Sequence, residues 1–218
     1  MYSHQNLQQE KIDLPVGKVV CVGRNYMEHI AELSNPVPSE PLLFCKPATA
    51  LVGLNQLIDA THAKHPLHYE AELAFLIAEP LTQATQSQVT DAISGMAVAL
   101  DLTYRDVQTE LKAKGHPWEI AKAFDRSCPI SGFASIENVD LANIEFQLHI
   151  NDVLKQSGNT GDMMTSVIDL IVYISNHFTL LPGDVVLTGT PAGVGSLSAG
   201  DRLKVSISEC MSAEASVV

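Results

Sequence analysis

Cysteine is sparse in this chain and never paired. Cys21, Cys45, Cys128 and Cys210 are scattered with no Cys-x-x-Cys spacing, so there is neither a thiolate zinc site nor a disulfide framework. That usage fits a reducing compartment. Basic residues are also few, 13 Lys and Arg against 25 Asp and Glu, for a net charge of -12. Such a balance argues against nucleic acid or an anionic membrane surface as the main partner. It admits a small anionic substrate only where positive charge is gathered locally. No apolar run approaches the ~20 residues a membrane helix needs. Met1 to Lys11 lack the basic-then-apolar pattern of an export leader. The expectation is a cytoplasmic protein with no membrane partner. Internal repeats, low-complexity tracts and linker-like stretches are absent too, which points to one domain.

Hydrophobic residues make up 46% of the 218, enough to bury a sizeable core. Strand patterns outnumber helical ones. Lys18 to Val22 and Leu42 to Cys45 are short apolar strands, Leu51 to Gly53 reads as a turn, and Met96 to Leu100 is a strand delivering Asp101 at its end. Ile144 to Ile150 alternates apolar and polar residues, and Asn151-Asp152 predicts a hairpin back through Val153 and Leu154. Helices are expected after Asn25, with Glu28 completing a capping box, over Val89 to Ser94, and over Thr103 to Lys114 up to the Gly115 breaker. A further helix runs from Met164 to Phe178 with Asn159 or Thr160 as cap, its two methionines filling core. On the third of these helices Asp101, Arg105 and Gln108 share one face. His29 and Glu32 share a face of the first, which three prolines between Ser34 and Pro41 terminate. The pattern specifies a mixed α/β, β-rich domain rather than a doubly wound parallel sheet. The glycine-rich segment Gly189 to Gly195 lacks the ending of a phosphate-binding loop.

The most informative stretch is Leu67 to Ala78, read as one strand. Leu67, Tyr69, Ala71, Leu73, Phe75 and Ile77 make an ordinary packing face. The other face begins His68, Glu70, Glu72 and then turns apolar. Two carboxylates on a largely hydrophobic strand repel each other and are costly to desolvate. A hard divalent cation such as Mg²⁺, Mn²⁺ or Ca²⁺ removes that cost; a solvated edge strand with an acidic rim is the competing reading.

Several motifs occur in order: Val22 to Tyr26 (Val-Gly-Arg-Asn-Tyr) with His29 and Glu32; Phe44 with Lys46-Pro47; Tyr69 to Leu73 (Tyr-Glu-Ala-Glu-Leu); Asp101 to Gln108; Gly115 to Trp118 with Ala121 to Phe124; and Pro182 to Pro191. Together they resemble the fumarylacetoacetate hydrolase family, specifically its small single-domain branch of acylpyruvate hydrolases. The resemblance implies a fumarylacetoacetate hydrolase-like C-terminal domain, a mixed β-sheet roll with short helices. Residues 18–218 are then the catalytic domain, 1–17 an N-terminal extension, and the assembly a homodimer. It implies Glu70, Glu72 and Asp101 as ligands of one Mg²⁺ or Mn²⁺, with His68 outside the ligand set. His29 and Glu32 match the catalytic pair, and Arg105, Gln108, Lys122 and Thr190 match positions lining the substrate cavity. Arg24, Arg105 and Lys122 answer the need for local positive charge. The implied reaction is hydrolysis of a 2,4-dioxo acid, an acylpyruvate such as acetylpyruvate or fumarylpyruvate. His29 activates water, Lys122 and Gln108 hold the oxyanion, and a metal-stabilised pyruvate enolate leaves. The alternative is an oxaloacetate enol–keto tautomerase or decarboxylase, or a dienoate hydratase or isomerase, using the same enolate; an inactive metal-binding scaffold stands further off. Two departures from the pattern are Ser196, where proline is common, and the small, polar end Ser208 to Val218, which predicts no clear closing strand.

Overall fold

The computed structural model describes residues 2–60 and 65–218, so Met1 of the N-terminal extension lies outside the described residues. Strand β1 (Val19–Gly23) is followed by helix α1 (Met27–Glu32), β2 (Leu42–Lys46) and β3 (Leu51–Gly53). The acidic stretch supplies β4 (Leu67–Tyr69) and β5 (Ala71–Ile77), and α2 (Gln86–Ala92) leads into β6 (Ile93–Leu100). After β7 (Thr103–Tyr104) come α3 (Arg105–Lys114), α4 (Glu119–Lys122) and β8 (Cys128–Ile130). The remainder holds β9 (Glu145–Ile150), β10 (Val153–Asn159), α5 (Val167–His177) and β11 (Val185–Leu187). It closes with β12 (Gly195–Ser196), β13 (Arg202–Ile207) and β14 (Met211–Ser216).

The largest sheet runs β2-β1-β11-β5-β6-β8-β3, with β1–β11 and β3–β8 parallel and its other pairs antiparallel. A second, antiparallel sheet has the order β10-β9-β13-β14, and a third has β12-β4-β7. Strand β5 sits mid-sheet and every one of its residues is buried, because the large sheet is covered on both faces. Leu73, Phe75 and Ile77 pack with Phe146, Leu148 and Val205 of the second sheet and with Leu170 and Ile174 of α5. Ala74 and Leu76 face the other way, into a smaller cluster with Val19, Cys21 and Phe133 on which Tyr2, Ile12 and Leu14 rest.

The residues before β1 are thus part of the packing. His4 is fully buried, with Nε2 3.0 Å from the Gly183 carbonyl and its ring edge-on to Tyr2 and Phe133. Gln5 accepts a hydrogen bond from the Phe133 amide at 2.8 Å. Burial outweighs the carbonyl contact and holds the His4 pKa below its ordinary 6.5. Unfolded, the imidazole takes up a proton near that pH that it refuses when folded, so stability falls as pH drops through 6.5. Protection factors for amide exchange in this segment should decrease several-fold between about pH 7.5 and about pH 5.5. His4→Phe should flatten that dependence, and an unaltered pH profile in the variant would assign it to another group.

Local chemistry accounts for where the elements depart from the sequence pattern. The expected single strand over the acidic stretch is interrupted at Glu70, because β4 pairs with β7 and β12 while β5 pairs with β6 and β11. Asn25 does not cap α1; Tyr26 is the N-cap, and the Asn25 amide instead donates to the Thr165 and Thr188 carbonyls, both at 3.0 Å. Leu51–Gly53 is a strand rather than a turn, since the parallel neighbour β8 pairs with it. Helix α3 begins only at Arg105, so Asp101 is not on its face. Thr85 caps α2 in a capping box with Gln88. Ser166, not Asn159 or Thr160, caps α5, and Met164 is exposed rather than core. The chain end, expected to be ill-patterned, forms β14 by pairing along β13. Asn151 and Asp152 both take positive φ in the expected β9–β10 hairpin turn.

Candidate metal centre and active site

Backbone pairing at Glu70 brings the three carboxylates together. Its carbonyl accepts the Asp101 amide at 2.8 Å, which extends the β5–β6 register by one residue and sets the two acids side by side. Glu72 follows two residues on, along β5. One oxygen from each of Glu70, Glu72 and Asp101 lies within 4.8 Å of the others, and all three side chains are buried. The solvated acidic rim is excluded by this burial.

Three cations face them. Lys122 on α4 donates to Glu70 Oε2 at 2.8 Å and to Asp101 Oδ2 at 2.5 Å. Arg105, at the start of α3, contacts the other oxygen of Glu70 and donates to Gln108 Oε1 at 2.7 Å. Lys46, at the end of the otherwise apolar β2, is completely buried, with its ammonium 2.8 Å from Asp101 Oδ1 and bonded to the Ser127 carbonyl and hydroxyl. Lys46 is not among the site residues singled out from the sequence; a lysine ending an apolar strand is the signal that could have found it. Burial drives the Glu70 pKa up, but Lys122 and Arg105 outweigh it and hold the group well below the usual range. Glu72 is pushed well above its usual range by burial and then by the charges of Asp101 and Glu70. Lys122 is raised, the two carboxylates overcoming its desolvation.

These residues fit a hard divalent cation. Asp101 Oδ1 makes no directed hydrogen bond despite its buried position near Lys46. Glu72 Oε2 receives one amide, from Gly189 at 2.7 Å, and has no cation within ion-pair distance among the described residues. An all-oxygen donor set of three carboxylates suits Mg²⁺ or Mn²⁺. Three carboxylates balance Lys46, Lys122 and Arg105, so a divalent ion leaves the site positive and receptive to an anion.

His29 is buried on α1, its Nδ1 3.2 Å from Glu32 Oε2. The second oxygen of Glu32 accepts the Gly193 amide at 3.0 Å, tying the pair to the glycine-rich loop. Gly189 in that loop has φ +92°, and a Cβ there would stand 2.9 Å from the Asn25 Cβ, so a side chain is strained where its amide holds Glu72. Thr190 donates to the Ala71 carbonyl and accepts from Gln156, each at 2.8 Å, so its hydroxyl braces β5. Arg24, with φ +64°, reaches the loop after α1. A cavity of about 40 Å³ is lined by nine of the ten residues singled out from sequence; Glu32 reaches it through His29. His68 does not line it. The cavity also touches Trp118, from the Gly115 to Trp118 motif, and Asn35 and Lys112, which the sequence did not single out. Lys112 lies seven residues after Arg105 on the α3 face shared with Gln108, a spacing that could have found it.

The chain is 52% identical over 207 residues to the oxaloacetate tautomerase YcgM of Escherichia coli, covering 94% of each chain. It is 40% identical to the mitochondrial oxaloacetate tautomerase FAHD1 of Bos taurus, over 87% of this chain and 86% of that one. A fumarylpyruvate hydrolase from Pseudomonas aeruginosa, solved with Mn²⁺ and pyruvate, superposes with a TM-score of 0.91 at 34% identity, covering 98% of this chain and 94% of that one. Residues 18–218 match the profile described as fumarylacetoacetate (FAA) hydrolase C-terminal. With that match, these relatives and the carboxylate centre in one rolled β-domain, the chain belongs to the fumarylacetoacetate hydrolase family.

Proposed function

We propose that the protein catalyses enol–keto tautomerisation of oxaloacetate, with Mg²⁺ or Mn²⁺ held by Glu70, Glu72 and Asp101. The observation that carries this reading is the 52% identity to an oxaloacetate tautomerase across 94% of either chain. Acylpyruvate hydrolysis, the activity first expected from the motifs, therefore yields first place to its alternative.

A divalent cation bound to the three carboxylates supplies Lewis acidity toward the oxygens of a 2-oxo acid. The chain's own residues handle the proton. Glu32 accepts the His29 Nδ1–H, which leaves Nε2 as the exchanging nitrogen. From enol to keto, the C2 hydroxyl loses its proton, C3 gains one, and the C2–C3 double bond shifts to C2–O. His29 is assigned the transfer at C3. Lys122 with Gln108 stabilises negative charge on the C2 oxygen, and Arg105 orients the C1 carboxylate. The buried walls of the cavity strengthen each of these interactions by excluding water.

Hydrolysis of an acylpyruvate is the second reading, supported by the fold shared with the fumarylpyruvate hydrolase. There His29 would take a proton from water attacking the distal carbonyl. Absorbance assays of enol-oxaloacetate, acetylpyruvate and fumarylpyruvate, with Mg²⁺, with Mn²⁺ and with chelator, separate the readings. Loss of enol-oxaloacetate should exceed the buffer rate by more than about a thousandfold and should stop with chelator. Cleavage of acylpyruvates with enol-oxaloacetate untouched would replace the tautomerase by a hydrolase. No turnover of any of the three would remove the enzyme reading.

A further inference from the structure

Thirteen basic residues serve this whole acidic chain, yet four of them, Arg24, Arg105, Lys112 and Lys122, line one small cavity. Arg105 is paired with Glu70, and Lys122 with Glu70 and Asp101. Arg24 and Lys112 have no carboxylate partner among the described residues. Both instead donate to a single neutral atom, Asn35 Oδ1, at 3.3 Å from Arg24 and 2.8 Å from Lys112. Two like charges sharing one amide oxygen are a poorly neutralised pair, and an anion seated beside them would relieve their repulsion. Burial and the neighbouring Arg24 and Arg105 charges lower the Lys112 pKa, as such an arrangement requires.

The pair is held in place. The Asn35 amide donates to the Ile30 carbonyl at 3.0 Å, which fixes the loop after α1, and Arg24 also donates to the Pro36 carbonyl at 3.2 Å. Arg105, Gln108 and Lys112 stand at i, i+3 and i+7 of α3, so Lys112 lies about two turns beyond Arg105 on the same face. Long helical side chains lean toward the N-terminus, so the Lys112 ammonium is directed back along the helix toward Arg105.

We propose that Arg24 and Lys112, bridged by Asn35, form a second anion seat that reads the distal carboxylate of a dicarboxylate 2-oxo acid. The proposal rests on the oxo-acid reading above, in which the proximal carboxylate is bound at the carboxylate centre by Arg105 and the cation. Lys112 is thereby a specificity residue, separating dicarboxylates from monocarboxylates that share the same 2-oxo head.

Calorimetric titration of the Mg²⁺-loaded protein with pyruvate and with fresh oxaloacetate tests it. Wild type should bind oxaloacetate more tightly. Lys112→Met should weaken oxaloacetate by about tenfold and change pyruvate by less than about twofold, while Lys112→Arg should restore the difference. Asn35→Asp gives an independent check without truncating a cation, because its carboxylate would occupy the pair and compete with the ligand. It too should weaken oxaloacetate selectively, with the thermal midpoint retained. Equal weakening of both ligands in the two variants, or no weakening of oxaloacetate in either, overturns the proposal. Absence of enol-oxaloacetate turnover in wild type would overturn the tautomerase reading alone, since the ratio of the two affinities still reports on Arg24 and Lys112.

Discussion

Asp101→Asn is expected to reduce turnover by at least about a thousandfold and to remove tight Mn²⁺ binding. The carboxylate does two jobs in the structure. It is one of three acidic groups within 4.8 Å, so its loss takes one charge from the donor set. It is also the counter-ion of Lys46 and one of the two counter-ions of Lys122. Lys122 keeps Glu70 in the variant, but Lys46 is fully buried and no other carboxylate lies within ion-pair distance of it among the described residues. Leaving a buried charge without its partner costs about 3–5 kcal/mol, and the neutral amide oxygen of asparagine recovers part of that. Denaturant unfolding should therefore show a loss of about 2–3 kcal/mol without added metal. A variant that binds Mn²⁺ as wild type does would take Asp101 out of the donor set. One that lost turnover with unaltered stability would show that Lys46 finds another partner.

His29→Ala should lower turnover by about a hundredfold to ten-thousandfold while leaving metal affinity intact. The imidazole lines the cavity, yet its polar contact is Glu32 on the same helix rather than any of the three clustered acids. Removing it deletes the exchanging nitrogen without touching the charges that hold a cation. Glu32→Gln should fall between wild type and His29→Ala, since an amide can still face Nδ1 but no longer enforces its protonation. Loss of Mn²⁺ binding in His29→Ala would place the imidazole among the ligands and contradict this assignment.

These two experiments probe the parts of the site that were easiest and hardest to read along the chain. Glu70 and Glu72 stood out because two acids on an apolar strand are anomalous at any tertiary arrangement. Asp101 stood at the end of an apolar strand, and only the resemblance of the surrounding motifs connected it to the pair. Lys46 and Lys112 were harder. A lysine shows its burial or its partner only through the tertiary contacts of its long stem, and neither is encoded in its immediate neighbours. Asn25 illustrates the opposite error. Its local pattern satisfies the rule for a helix cap, but two carbonyls far along the chain compete for the same amide and win.

Composition and pattern by themselves determined a β-rich mixed domain, a strongly acidic net charge, and the residue types able to hold a hard cation. Period-two alternation and apolar runs are local properties, so the strands β1, β2 and β9 and the Met96 to Leu100 part of β6 follow from them directly, whereas Ile93 and Ser94, expected in a helix, begin β6. The division of the acidic stretch into β4 and β5 was decided only by tertiary structure, because each half finds its partners in a different sheet. The antiparallel register nevertheless runs unshifted through Glu70, whose carbonyl accepts the Asp101 amide, so backbone hydrogen bonds set the distance between carboxylates whose charges alone would drive them apart.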